Sequence, residues 1–155
     1  VCPMSVTIDA NILLYASDEQ SPRHDAAAAL LAQLAAGPGL VYLFWPVAMA
    51  YLRIATHPNI FDQPLDPAEA RRNLSQFIGR AHVRCPGEAE GFWQAYQDLV
   101  GADTIRGNLV TDSHIAALMR QHGVTTIFTA DRDFRRFTGI TSRDPFAEAT
   151  GPASR

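Results

Sequence analysis

Val6-Thr7-Ile8-Asp9-Ala10-Asn11-Ile12-Leu13-Leu14-Tyr15 is the stretch on which the reading of this chain turns. A short β-branched run reads as a buried strand, a carboxylate stands at its C-terminal end, and an apolar helical pattern begins at once. Asp9 is thereby set on a strand-to-helix crest. Ligands of open parallel sheets bind beyond the carboxyl ends of the strands, so an acid there is placed for chemistry. Taken alone, Asp9 reads better as the cap of the helix that follows.

Two later stretches put acids in comparable places. Gly107-Asn108-Leu109-Val110-Thr111-Asp112-Ser113-His114 runs into an apolar helical pattern that Gly123 ends. Positions three and four apart share a helix face, so Asp112 lies with Ile115, Ala116 and Met119 on the apolar side. A carboxylate on a buried stripe is costly unless something compensates it; the alternative is an acid near a helix start, paired with backbone amides or an arginine. The third crest, Thr126-Ile127-Phe128-Thr129-Ala130-Asp131-Arg132-Asp133-Phe134, again ends a strand in acids at the start of a short helix. Its alternative is a helix cap with a surface ion pair to Arg132 or Arg136.

Between the crests the pattern alternates. Ser21 and Pro22 open a helix with an alanine-rich body from Asp25 to Ala36, and Gly37 closes it. Val41 to Phe44 reads as a strand buried on both faces, and strand, helix, strand predicts a right-handed parallel crossover. Pro46 opens a helix that runs to Thr56, before Pro58. Leu65-Asp66-Pro67-Ala68-Glu69 is a capping box ahead of the stripe Ala70, Leu74, Phe77 and Ile78. Ala81 to Arg84 predicts a short strand and Glu88 to Val100 a helix with Phe92, Trp93, Tyr96, Leu99 and Val100 inward. A last strand is expected near Ile140. There is no internal repeat, and the reading is one α/β domain over residues 1–146 with a small, polar tail at 147–155.

Composition bounds the function. With 47% apolar and 19% charged residues among 155, the chain is an ordinary globular domain. A net charge of -3 and a pI near 5.9 give no broad cationic field, which counts against nucleic acid. All 13 basic residues are arginine, whose planar fork suits phosphate or carboxylate; coding bias produces the same skew. Cys2 and Cys85 have no metal or disulfide spacing, which fits a reducing cytoplasm. Val41 to Leu52 is too short to span a bilayer and contains Pro46, and no secretory leader is expected. The five histidines share no metal-ligand spacing, and phosphate-binding glycine loops and nucleophile elbows are absent.

Asp9, Asp112 and Asp131, with Asp133 nearby, are hard oxygen ligands from distant segments, each expected at the same edge of one sheet. Clustered carboxylates repel, and a divalent cation removes that cost. Magnesium or manganese matches such a set; it would lower the pKa of a water and neutralise charge on a phosphate. The chemistry is that of a phosphodiesterase or nuclease.

The three stretches resemble, in order, the signatures of PIN-domain ribonucleases, and of the VapC-type toxins among them. Leu52-Arg53-Ile54-Ala55-Thr56-His57-Pro58 resembles a subset of those toxins. The resemblance covers the chain to about Phe146. It implies a three-layer α/β/α sandwich around a mostly parallel sheet of four or five strands, Mg- or Mn-dependent endoribonuclease activity on structured RNA, homodimerisation and inhibition by a cognate antitoxin. By position it implies Asp9, Asp112 and Asp131 as metal ligands, Asp133 as an auxiliary one, and Asn11 and Thr129 as supporting polar groups. Arg132 and Arg136 are candidates to hold the RNA backbone. One departure stands out: Ala50 aligns with a glutamate usual in the family. That leaves two further readings, a module that grips RNA or antitoxin but cleaves little, and a small-molecule phosphohydrolase.

Overall fold

In the computed structural model, which describes residues 5–147, the three β-branched runs form the middle of one sheet. Val6–Ile8 is β1, Val41–Tyr42 β2, Val83–Arg84 β3, Thr126–Phe128 β4 and Thr141–Arg143 β5. All five pair in parallel, in the order β3-β2-β1-β4-β5. The chain therefore builds outward from β1 in one direction through β2 and β3, then returns to β1's other side for β4 and β5. That reversal between β1 and β4 is the kind of switch point where open α/β sheets leave a crevice at the strand ends.

Six helices fill the connections: α1 (Ala10–Ala16), α2 (His24–Ala36), α3 (Trp45–Ala55), α4 (Pro67–Ile78), α5 (Phe92–Val100) and α6 (Asn108–Gln121). A 3₁₀ turn covers Arg132–Arg136. The result is the α/β/α sandwich expected, with the upper strand count. Ile8, Val41 and Ile127 are at most 1% exposed, as strands covered on both faces must be. Leu43, Phe44, Ile115, Leu118 and Phe134 close the core around them. Thr7, polar and buried, is satisfied because its hydroxyl donates to the Tyr42 carbonyl at 2.7 Å.

Local chemistry explains where elements start, and several boundaries differ from expectation. Ser21 does not cap α2 itself; its hydroxyl takes the Arg23 N–H in a preceding turn, and the helix begins at His24. The strand at Val41 stops at Tyr42 because Phe44 already caps α3, although Leu43 still donates to the Arg84 carbonyl. Asp66 caps α4 through the Ala68 N–H, without a return bond from Glu69 among the described residues. The helix expected from Glu88 starts only at Phe92, since Gly91 adopts a left-handed φ of 78° that breaks a continuous run.

Trp93 is a correction: expected inward, it is 65% exposed. Its ring stacks on Tyr96 at 10° between planes instead of entering the core, and no residue of α5 is fully buried. The sequence pattern shows an apolar face but not how much of it a neighbour covers. No helix among the described residues is long and apolar enough to cross a membrane. Cys85 is free, while Cys2 and the tail beyond Ala147 lie outside the described residues.

The central strands set stability. Replacing Ile127, fully buried on β4, with alanine is expected to cost about 2–5 kcal/mol in urea unfolding. Met49→Ala on α3, where the side chain is 51% exposed, is expected to cost less than about 1 kcal/mol.

Candidate metal centre at the carboxyl edge of the sheet

β1 and β4 are neighbours in register, so the residues just past their ends meet. The Asp9 N–H donates to the Phe128 carbonyl at 3.0 Å, which continues the ladder one step past both strands. Thr129, 1% exposed, stands opposite. Its hydroxyl donates to Asp9 Oδ2 at 2.8 Å and accepts from Asn11 Nδ2 at 3.2 Å and from the Asp131 N–H at 2.9 Å. Asn11 Oδ1 in turn accepts the Ala130 N–H at 3.3 Å. One hydroxyl thus ties the acid after β1 to the backbone of the acid after β4, and Asn11 braces it from the first turn of α1.

Both helix-cap readings hold, and neither uses up the acid. Asp9 caps α1 through Oδ1 to the Ala10 N–H at 2.8 Å, and Asp131 caps the 3₁₀ turn through Oδ1 to the Asp133 N–H at 2.9 Å. A carboxylate has about four lone-pair sites, so each oxygen pair keeps capacity for a further ligand.

Asp112 arrives by a different route. As its spacing predicts, it sits on a helix, the fifth residue of α6, on the face turned to the core. It is 8% exposed, and its Oδ2 is buried without any hydrogen-bond partner. The alternative of backbone amides or an arginine is therefore not met, as no Arg ion pair to Asp112 forms among the described residues. Oxygens of Asp9, Asp112 and Asp131 lie within 4.8 Å of one another. Asp133 is not in that cluster; it is exposed, and it acts on Asp112 through space as a further negative charge.

The electrostatics follow from this crowding. Burial pushes the Asp112 carboxyl up to about 7, helped by the negative charges of Asp9, Asp131 and Asp133, with Arg136 pulling the other way. Burial also raises Asp9, against the hydrogen bonds from Thr129 and Ala10 that favour its charged form. An orphaned, buried, hard oxygen between two other carboxylates is the situation a divalent cation relieves. The residues present fit such an ion, and Asp9, Asp112 and Asp131 are the ones that would hold it.

The remaining sequence candidates fall around this core. Arg136 is close enough to act on Asp112, whereas Arg132 is exposed and no contact ties it to the cluster. Ala50 is half-buried on α3 and packs against the core, and the cluster holds three carboxylates, not four. The histidines serve structure: His82 meets the Leu34 carbonyl, His24 that of Tyr15, His122 that of Gly87, and His114 pairs with Glu88. A groove of about 410 Å³ between α1, α2 and α4 lies away from Asp9, Asp112 and Asp131.

Comparison with known proteins agrees with the geometry. The family model of the PIN domain matches residues 6–140. The chain is 52% identical over 144 residues to Ribonuclease VapC48 of Mycobacterium tuberculosis, which spans 93% of this chain and 99% of that protein. It is 28% identical over 138 residues to Ribonuclease VapC37 of the same species, 89% of this chain and 95% of the relative. Among solved structures, M. tuberculosis VapC20, described as a sarcin-ricin loop cleaving toxin, superposes with a TM-score of 0.62 at 19% identity, covering 87% of this chain and 98% of that one. Rickettsia felis VapBC2 bound to a promoter DNA fragment gives 0.63 at 18%, covering 90% and 98%.

The raised Asp112 fixes a sign. Between its ordinary pKa of 3.8 and about 7, the native state holds a proton that the unfolded chain releases, so stability falls as pH rises through that window. Asp112→Asn removes the buried charge and is expected to stabilise the metal-free protein at pH 8, by on the order of 1–4 kcal/mol. At pH 4 it should change little; urea unfolding in chelator at both pH values measures this.

Proposed function

The chain belongs to the PIN-domain family and, within it, to the VapC-type ribonucleases, and from that premise we propose that it is a divalent-metal-dependent endoribonuclease. The observation that carries this is the convergence of Asp9, Asp112 and Asp131 within 4.8 Å, with one buried oxygen left unpaired. Its substrate is structured RNA of the tRNA or rRNA class, cut where an exposed loop gives access to unpaired nucleotides. It acts as a toxin in the cytoplasm, held in check by a cognate antitoxin, and works as a homodimer. Support for the toxin role comes from the relatives: VapC20 is described as a toxin, and VapBC2 is a structure on promoter DNA.

A bound magnesium or manganese ion would supply a water of lowered pKa and offset the charge that builds on the phosphate. The chain's own residues do the rest. Thr129 and Asn11 keep the Asp9 carboxylate aimed at the cluster instead of letting it rotate into solvent. Asp131 is fixed by its cap to Asp133, and Asp112 closes the pocket from the helix side. Asp133 serves as an auxiliary acid. Arg136, beside Asp112, offers a guanidinium to phosphate oxygens, a role its planar fork suits.

The second reading, a PIN-fold module that binds RNA or antitoxin with little cleavage, rests on Ala50 in place of the family's glutamate and on a cluster of three acids. One assay separates the readings. Unmodified protein with bulk tRNA or rRNA is expected to cut in Mg or Mn, to stop in chelator, and to lose about 10²-fold or more in rate as Asp131→Asn. Cutting that begins only when Ala50→Glu is made establishes the second reading instead.

Thr129→Val tests the network apart from the ligands. Removing the hydroxyl leaves Asp9, Asn11 and the Asp131 N–H each short of a partner, so stability is expected to drop by about 1–3 kcal/mol. Cleavage should also need a higher metal concentration, which a metal titration of the rate reads out.

A further inference from the structure

The charges around the acidic cluster are lopsided. α6, which carries Asp112, packs against α3, against α5 and against the 3₁₀ turn. The turn and β5 carry Arg132, Arg135, Arg136 and Arg143, all exposed and without a side-chain hydrogen bond or ion pair among the described residues, against two exposed acids, Asp133 and Asp144. The segments around α5 carry the exposed acids Glu88, Glu90, Asp98 and Asp103, against a single arginine in the run to α6, Arg106.

Backbone geometry ties Arg143 and Arg136 to the site, and Arg132 and Arg135 ride on the turn that directly follows Asp131. The Thr129 N–H donates to the Arg143 carbonyl at 2.9 Å, so Arg143 stands one strand over from the residue that holds Asp9. In a 3₁₀ turn, residues three apart eclipse. Asp133 and Arg136 therefore share one side, and both act on Asp112. Arg132 and Arg135 share another, beside Phe134, which is buried and anchors the turn. Unpaired guanidiniums on a chain of net charge -3, carried by the turn and the strand next to the acid cluster, suit a polyanion that must be drawn past those acids.

We propose that the RNA strand reaches the acidic cluster across β5, the edge strand, and the turn that precedes it, its phosphates held by Arg132, Arg135 and Arg143, and not across α5. This rests on the nuclease reading above and adds the direction of approach and two residues, Arg135 and Arg143, that grip phosphate. The exposed acids around α5, which packs on α6, repel the backbone there, so the track is one-sided. Phosphate binding of this kind carries affinity and salt dependence but no base preference.

The test measures binding of a fluorescein-labelled single-stranded RNA to the full chain in chelator, over a range of salt, beside cleavage of the same RNA in Mg. The double variant Arg135→Ala with Arg143→Ala is expected to bind about tenfold more weakly at low salt. The slope of log K against log salt should become shallower by about 0.7 for each phosphate that no arginine neutralises any longer. In cleavage, KM should rise with kcat held. Arg71→Ala with Arg72→Ala, on the exposed face of α4, serves as control and should change neither. If the parent protein cuts RNA but the double variant binds as the parent does, or Arg106→Ala causes the weakening instead, the track is wrong and the nuclease reading stands. If the parent neither binds nor cuts any RNA, both fall together.

Discussion

Three carboxylates held within 4.8 Å of one another are a standing electrostatic cost, and the rest of the structure is arranged so that the protein can bear it. The Thr129 hydroxyl carries most of that burden, because it is donor to Asp9 and acceptor from Asn11 and the Asp131 backbone at once. It converts two acids that would otherwise turn away from each other into neighbours with fixed orientation. Asp112 has no such help: its buried oxygen stays unpaired, and the cost shows as a carboxyl that holds its proton to about pH 7. A divalent cation held there would relieve that crowding.

The sheet order is what makes the arrangement available. Because β1 and β4 are adjacent although well over a hundred residues separate them, the residues that follow each strand share one edge. α6 is packed so that its buried face delivers a third acid to the same place. Movement of any one of these elements would leave two acids near each other and the third without purpose. Stability of the central strands and competence of the site are therefore the same requirement seen at two scales.

Much of this is legible in the sequence, for identifiable reasons. β-branched runs that end in Asp9 and Asp131 mark strand ends, and Asp112 stands out as an acid on an apolar helix face. The fold follows from alternation and the three stretches together. What the sequence does not show is set by distant neighbours. The helix position of Asp112 is legible, but that its oxygen is left without a partner there depends on what packs against α6. The resemblance marks Thr129 as a supporting polar group, but its part as a hub depends on register between β1 and β4, which single-chain patterns do not encode. Trp93 is misplaced because helical spacing shows which side is apolar but not what lies against it. Arg135 and Arg143 carry no signal of their own, because their relation to the site passes through a turn and a neighbouring strand.

The proposed chemistry requires one cation shared by acids from three distant segments. A crystal soaked in manganese, with anomalous difference density collected at a wavelength where the metal scatters strongly, tests it most directly. The account predicts a peak about 2.1 Å from oxygens of Asp9, Asp112 and Asp131 together, with Asp112 Oδ2 among its ligands. Density absent from that pocket, or a peak held by other residues while these three acids stay apart from it, would contradict the account.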